Sequence, residues 1–318
     1  MGRHPIRPGL TGAAVKILLL GCNGQVGWEL QRSLSVLGEV VALGSGPAQG
    51  EGALCGDLGN LEALAHTVRR VAPQIIVNAA AYTAVDRAET EPERARAINA
   101  VAPGLLAAEA QRLGAWLVHY STDYVFDGSG SVAWQEGDLC APLSVYGRTK
   151  LEGERLLTQC PRHLNFRTSW VYAARGGNFA KTMLRLAAER ESLTVIDDQI
   201  GAPTSAELLA DTTAHALRIA MANPALAGTY HCVAGGETSW RAYAQFVLSQ
   251  ARLLGVELRA GPDQVLPTNT ANYPTPAKRP LNSRLNTERL RSTFSLHLPH
   301  WQTGVQRMLQ ETLGTQKA

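Results

Sequence analysis

The sequence contains no stretch approaching the roughly 20 consecutive apolar residues that cross a bilayer, which excludes a membrane-spanning helix. It also lacks any C-x-x-C pair. Its five cysteines, Cys22, Cys55, Cys140, Cys160 and Cys232, are scattered and odd in number, which suits neither a disulfide framework nor a zinc site. They read as reduced thiols of a cytoplasmic protein. There is no block of like charge either. A formal charge of +3 is spread along 318 residues, so neither nucleic acid nor a membrane surface is indicated as a partner. No internal repeat is visible. What the chain does have is 45% hydrophobic and 18% charged residues, enough for one large domain or two lobes around a sizeable core.

Residues 16–27, KILLLGCNGQVG, admit two incompatible readings. A basic start, an apolar run and Leu-Leu-Gly-Cys resemble a lipoprotein signal that would be cut before Cys22. The same letters read as a strand entering a glycine-rich nucleotide loop. A signal core needs about 7 to 15 uncharged apolar residues, and Lys16 interrupts this one, leaving only Ile17 to Leu20. Gly24, Gly27 and the helix-forming WELQRSL follow at once, where a lipoprotein would continue into a polar tether. The nucleotide loop is the better reading. Residues 1–15 show no periodicity and read as a disordered extension.

Short apolar runs then alternate with helical patterns. KILLLG leads into a helix over about 24–37, followed by EVVAL, a helix near LEALAHTVRRV, QIIVNAA, a helical ARAINAVAPGLLAAEAQRL and the strand AWLVHYS. Continuous apolar strands separated by helices imply a parallel sheet covered on both faces. The expected fold is therefore α/β, a Rossmann-type doubly wound parallel sheet over 16–169, completed by part of 200–233. From Trp170 the rhythm loosens, and 170–318 reads as mainly a smaller, less regular C-terminal substrate lobe.

Gly21, Gly24 and Gly27 stand as G-x-x-G-x-x-G between strand and helix. Such a turn lets a pyrophosphate approach the backbone at a helix N-terminus, where free N–H groups and the dipole favour an anion. An acidic residue about 20 positions later would normally hold the adenosine ribose, but Gly44 stands there with no arginine nearby for a 2′-phosphate. The choice between NADH and NADPH stays open.

The strongest chemical signal is YSTDYVFDG at 120–128 followed by SVYGRTKLEGE at 144–154. Tyr146 and Lys150 are one helical turn apart and share a face. A phenol of pKa near 10 is a poor acid at neutral pH, but an adjacent ammonium favours its phenolate and would make proton exchange with a carbonyl oxygen feasible. Thr122 could place a hydroxyl on the same oxygen.

These motifs, with VNAAAYTAVDRAE, RTSWVY, NFAKTMLRLA, DQIGAPTSAELLAD and RPLNSRLNT, resemble the extended short-chain dehydrogenase/reductases from about Lys16 to the end. More narrowly, they are similar to the branch that reduces the carbon 4 ketone of dTDP-4-dehydro-L-rhamnose to dTDP-L-rhamnose for bacterial surface polysaccharides. The resemblance implies a cytoplasmic enzyme using NADPH or NADH on a dTDP-sugar substrate. It places the catalytic trio at Thr122, Tyr146 and Lys150, with Lys150 also on the nicotinamide ribose. It puts Gly24, Gln25 and Val26 on the pyrophosphate, Asp57 and Leu58 at the adenine edge, and Ala80, Ala81 and Tyr82 along the cofactor. Thr122, Asp123, Tyr146 and Trp170 match substrate positions, although a tryptophan between two strands is as often a core residue. Arg279, in the proline-rich 274–280 segment, is a further candidate for the diphosphate, since a guanidinium fork suits phosphate oxygens. The resemblance also implies a possible Mg2+ near a homodimer contact, through Glu207 and Glu311. Two rival functions remain. An epimerase or dehydratase on the same scaffold is disfavoured because Asp123-Tyr124 follows Thr122 where a dehydratase carries Asp-Glu. A non-catalytic regulatory subunit is disfavoured by the intact trio.

Overall fold

The computed structural model describes residues 14–46 and 53–314. Most of the N-terminal extension and residues 47–52 of the glycine-rich stretch after Gly44 lie outside the described residues.

The central sheet is built from β1 (Lys16–Leu20), β2 (Glu39–Leu43), β3 (Ile75–Asn78), β4 (Trp116–Thr122), β5 (His163–Thr168) and a last strand, β6 (Gly228–His231). All neighbours run parallel, and the spatial order is β2-β1-β3-β4-β5-β6. The chain steps outward from β1 to β2 and then returns to the other side of β1 as β3. The point of reversal lies between β1 and β3, where open α/β sheets form ligand clefts at the carboxyl ends of their strands.

The apolar run of β1 shows why both faces are covered. Ile17 and Leu19 enter one core with Leu30 and Leu34 of helix α1 (Gln25–Leu34), while Leu18 and Leu20 enter another with Leu64 and Val68 of α2 (Leu61–Val71) and Leu106 of α3 (Ala102–Leu113). A strand buried on both faces has no polar side, and this explains its lack of alternation. Helix α1 stops three residues short of the expected end. The chain must turn at Gly38, where a Cβ would lie 2.0 Å from the Val15 carbonyl oxygen, before Glu39 N–H bonds that carbonyl.

After Trp170 the chain serves two cores. Helix Ala206–Ala222 and β6, with Leu290, Phe294 and Leu298, pack into the α1 side of the sheet. Helices Phe179–Glu189, Trp240–Leu253 and Trp301–Leu313 gather around Tyr172, Tyr243 and Trp301 instead. Strands Leu193–Ile196 and Val265–Thr268 pair beside them.

Candidate active site

A cleft of about 800 Å³ opens at the carboxyl ends of β1 and β3. Its floor is backbone. Gly21 has φ +83°, and a Cβ there would meet Ala80 N at 2.6 Å, so the loops after β1 and β3 touch main chain to main chain. Above Gly24, a Cβ would meet only the Gly21 carbonyl oxygen, at 3.3 Å. The first turn of α1 has no side-chain cap and no acidic residue, so it presents its positive end to the cleft. This cradle fits the pyrophosphate of a dinucleotide. Gly21, Gly24, Gln25, Val26, Asp57, Leu58, Ala80, Ala81 and Tyr82 all line the cleft. Gly27 does not. A Cβ there would fall 2.0 Å from the Gly21 carbonyl oxygen, so its role is to seat the helix on the loop.

Near the end of β2, the space expected to hold a carboxylate is filled from elsewhere. A Cβ on Gly44 would lie 2.4 Å from Asn23 Nδ2, so Asn23, from the glycine loop, lies over the backbone of Gly44. Asn23, Gly44 and Ser45 together form this neutral part of the lining.

Tyr146 and Lys150 stand on helix α4, counted here as Val145–Leu157, which Ser144 caps by accepting from Gly147 N–H at 3.2 Å. Two glycines set the position of this helix. A Cβ on Gly147 would lie 2.2 Å from the Tyr124 carbonyl oxygen, and one on Gly153 would lie 2.1 Å from that of Asn99. Asn99 sits in a π-helical turn, Ala97–Val101, and its buried amide bonds both the N–H and the carbonyl of Tyr82 and the hydroxyl of Thr149. The helix and the cofactor-side loop are thus fastened to one side chain.

The structure brings Thr122, Asp123 and Tyr146 together. Burial pushes the Tyr146 phenol up to about 12, opposed by its hydrogen bond with Thr122. The expected lowering by Lys150 is absent. The Lys150 amine is directed at the Tyr120 carbonyl and lies 3.2 Å from His119 Nε2, and burial pushes it down to about 8. Asp123 is buried beside Thr122, whose hydroxyl donates to it at 3.0 Å, and burial raises its carboxyl to about 6 against hydrogen bonds from Ser283 and Thr122. The Tyr124 ring meets Tyr146 edge-on at 5.6 Å.

Trp170 has φ +50°, unusual for a bulky residue, and stacks on Trp240 with ring centroids 3.6 Å apart. Gly201 makes room for it, since a Cβ there would lie 2.8 Å from the indole. Arg279 does not stand free: it bonds Asp86 at 2.9 Å. Glu207 is paired with Arg307 at 3.3 Å and raised by burial and by the charges of Glu29 and Glu311. Among the described residues no three His, Cys, Asp or Glu side chains converge as a metal site, so the Mg2+ expectation gains no support.

Sequence reasoning missed Asn23, Asn78, Asn99 and His119. For Asn78 and His119 a signal existed: they are polar letters within apolar strands and are register partners in β3 and β4.

The sequence profile of the RmlD substrate binding domain matches residues 15–313. The chain belongs to the RmlD family. Its similarity to individual members is high: it is 56% identical to the dTDP-4-dehydrorhamnose reductase of Salmonella typhimurium over 95% of this chain and 99% of that one. With the reductase of Burkholderia thailandensis the identity is 45%, over 94% and 99%. A solved dTDP-4-dehydrorhamnose reductase from Bacillus anthracis, in complex with NADP, superposes with a TM-score of 0.83 at 33% identity, covering 94% of this chain and 99% of that one. A UDP-glucose 4-epimerase from Thermus thermophilus shares the fold at 18% identity and a TM-score of 0.73.

Proposed function

We propose that this RmlD-family protein reduces the carbon 4 ketone of dTDP-4-dehydro-L-rhamnose to dTDP-L-rhamnose with NADPH or NADH, in the cytoplasm. The observation that carries this reading is Tyr146, hydrogen-bonded by Thr122, standing with Lys150 on the lining of one cleft whose floor is the glycine cradle. The high identity to named reductases over nearly the whole chain supports the substrate.

The bound dinucleotide supplies hydride to carbon 4. The chain's own groups do the rest. Gly21, Gly24 and the open first turn of α1 hold the pyrophosphate, and Ala80, Ala81 and Tyr82 run along the cofactor. Tyr146 donates its phenolic proton to the carbon 4 oxygen as the carbonyl is reduced. A phenol raised toward 12 keeps that proton at neutral pH and gives it up only to an oxygen gaining negative charge. Thr122 already bonds the phenol and orients the same oxygen by turning its one hydroxyl hydrogen from Asp123 to it. Asp123, with a carboxyl raised to about 6, accepts from Thr122 and offers a buried polar contact for a sugar hydroxyl. The indole of Trp170 covers the apolar face of the deoxysugar. Arg279 reaches the diphosphate by exchanging its Asp86 partner for phosphate oxygens.

The test is spectrophotometric. Enzymatically generated dTDP-4-dehydrorhamnose should drive NADPH or NADH oxidation, and the product should co-elute with dTDP-L-rhamnose. Cofactor oxidation that is independent of the sugar nucleotide would refute the reading.

A further inference from the structure

Lys150 has two neighbours that the proposed chemistry does not use, His119 and, behind it, Asn78. All three side chains are buried. The order of donors and acceptors along them can be worked out from a backbone group. Ala80 N–H can only donate, and it lies 3.2 Å from the side-chain atom of Asn78 that must therefore be the amide oxygen. The amide nitrogen of Asn78 then faces His119 Nδ1 at 3.2 Å and donates to it. A neutral imidazole that accepts at Nδ1 carries its hydrogen on Nε2. Burial and the nearby Lys150 keep His119 neutral by lowering its pKa well below the usual value. Its Nε2–H therefore points at Lys150 Nζ, 3.2 Å away.

An ammonium has no lone pair to accept that hydrogen, whereas a neutral amine has one. We propose that His119 is a positioning residue for Lys150: fixed in its Nε2–H form by Asn78 and the Ala80 backbone, it donates to the Lys150 amine and makes Lys150 a proton-exchanging group instead of a fixed cation. The inference rests on Lys150 being the lysine of the reductase site proposed above. As an amine, Lys150 accepts from His119, donates to the Tyr120 carbonyl and keeps one N–H for the cleft, so each group is satisfied. As an ammonium it must turn one N–H against another. The other groups around it act differently. Glu154, one turn further along α4, favours the ammonium but is itself held by Arg167 at 2.7 Å. Tyr146 lies one turn before it, and the Tyr120 hydroxyl is engaged with Thr213. The lowering of Lys150 to about 8 is in the direction this donor chain requires, with burial as its main cause.

The sign of the pH effect follows. Reduction that needs the Lys150 ammonium declines as pH rises through the Lys150 pKa. Removing a donor that favours the amine raises that pKa, so the alkaline limb of kcat should move to higher pH. In His119→Leu the shift should be about one unit, a tenfold change in the acid constant. Asn78→Asp provides a second variant, because a carboxylate accepts from both Ala80 N–H and His119 Nδ1–H. This reverses the chain and should also move the limb up. In neither variant should the KM for the sugar nucleotide change more than about threefold. A limb that stays in place or moves down in both variants would overturn the proposal. An activity-independent measurement decides the same point in the intact protein. Nitrogen NMR of histidine-labelled protein, assigned with His119→Leu, should show the Nε2–H form for His119. The Nδ1–H form would overturn the proposal even in a fully active reductase. The Nε2–H form in a protein that fails to reduce the ketone would reject the function and leave the hydrogen-bond chain standing.

Discussion

The two ends of the cleft are built from different material. At the proposed pyrophosphate end the walls are main chain, Gly21 against Ala80 and an uncapped helix start, while Gly27 seats the helix on the loop. At the proposed sugar end the groups are side chains from distant segments: Tyr146 from α4 on the lining, Thr122 bonded to it and Asp123 at the end of β4, and, by proposal, Trp170 beyond β5 and Arg279 from the proline-rich segment. Backbone walls require the absence of side chains, and a glycine pattern in sequence records that absence directly. Side-chain walls require particular groups to meet, and no local pattern states which ones do. The first end should therefore respond to added bulk with lost binding, and the second to removed groups with lost turnover.

The largest effect is expected at the sugar end. Tyr146→Phe removes the donated proton while leaving the ring in place against Tyr124. Turnover should fall about a hundredfold or more, roughly 2.7 kcal/mol, with NADPH affinity unchanged by titration calorimetry. A variant retaining a third of wild-type turnover would end the assignment and with it the contrast between the two ends.

The corresponding change at the pyrophosphate end is Gly27→Ala. The new methyl would sit 2.0 Å from the Gly21 carbonyl oxygen, a backbone atom that cannot swing aside. Overpacking of this kind is worth about 1 to 3 kcal/mol, and here it also displaces the loop proposed to hold phosphate. Urea unfolding should show the lower stability, and the KM for NADPH should rise tenfold or more while the sugar KM changes little. A normal cofactor KM would mean that the loop tolerates displacement and that its glycines serve packing alone.

The same contrast explains how much was legible in advance. The doubly wound sheet, the loop glycines and the turn-spaced Tyr146 and Lys150 are local in sequence, and each follows from a short-range requirement of backbone or helix face. The direction of the Lys150 amine was misread, because helical spacing gives the shared face of two residues but not the carbonyl of Tyr120 waiting on β4. Arg279 read as free for phosphate because Asp86, almost two hundred positions away, cannot be recognised as its partner from either segment alone. Asn99 gave no signal, since a π turn has no residue signature of its own.

Asn99 joins the two ends, so its loss should blur the contrast. In Asn99→Ala the N–H of Tyr82 loses its buried partner and Gly153 still presses against the turn. An unsatisfied buried group costs about 1 to 3 kcal/mol, so stability should drop by around 2 kcal/mol. The KM values for both cofactor and sugar should rise together, about threefold to tenfold, because the Tyr82 loop and α4 lose their common fastening. A rise in only one of them would show that the two walls are positioned independently.

The smallest effect concerns the ribose beyond the pyrophosphate. With Asn23 lying over Gly44 and Ser45 beside it, the described residues of this stretch of the wall offer neutral polar groups, with neither a carboxylate among them to repel a 2′-phosphate nor a guanidinium to grip one. NADH and NADPH should then be used within about tenfold of each other in kcat/KM, a difference of no more than about 1.4 kcal/mol. A preference of several hundredfold would point to a determinant elsewhere, with residues 47–52 the nearest candidates in sequence. Gly44→Asp tests the wall itself. Its Cβ would meet Asn23 Nδ2 at 2.4 Å, but that atom is the end of a flexible side chain and can rotate away. The restored carboxylate would accept the two ribose hydroxyls of NADH and oppose the phosphate of NADPH. The ratio of the two kcat/KM values should therefore move toward NADH by tenfold or more, with turnover at saturating NADH unchanged because Tyr146 and Thr122 are untouched. An unmoved ratio would show that the ribose does not lie against Gly44, and that the cleft seats the cofactor in a different register.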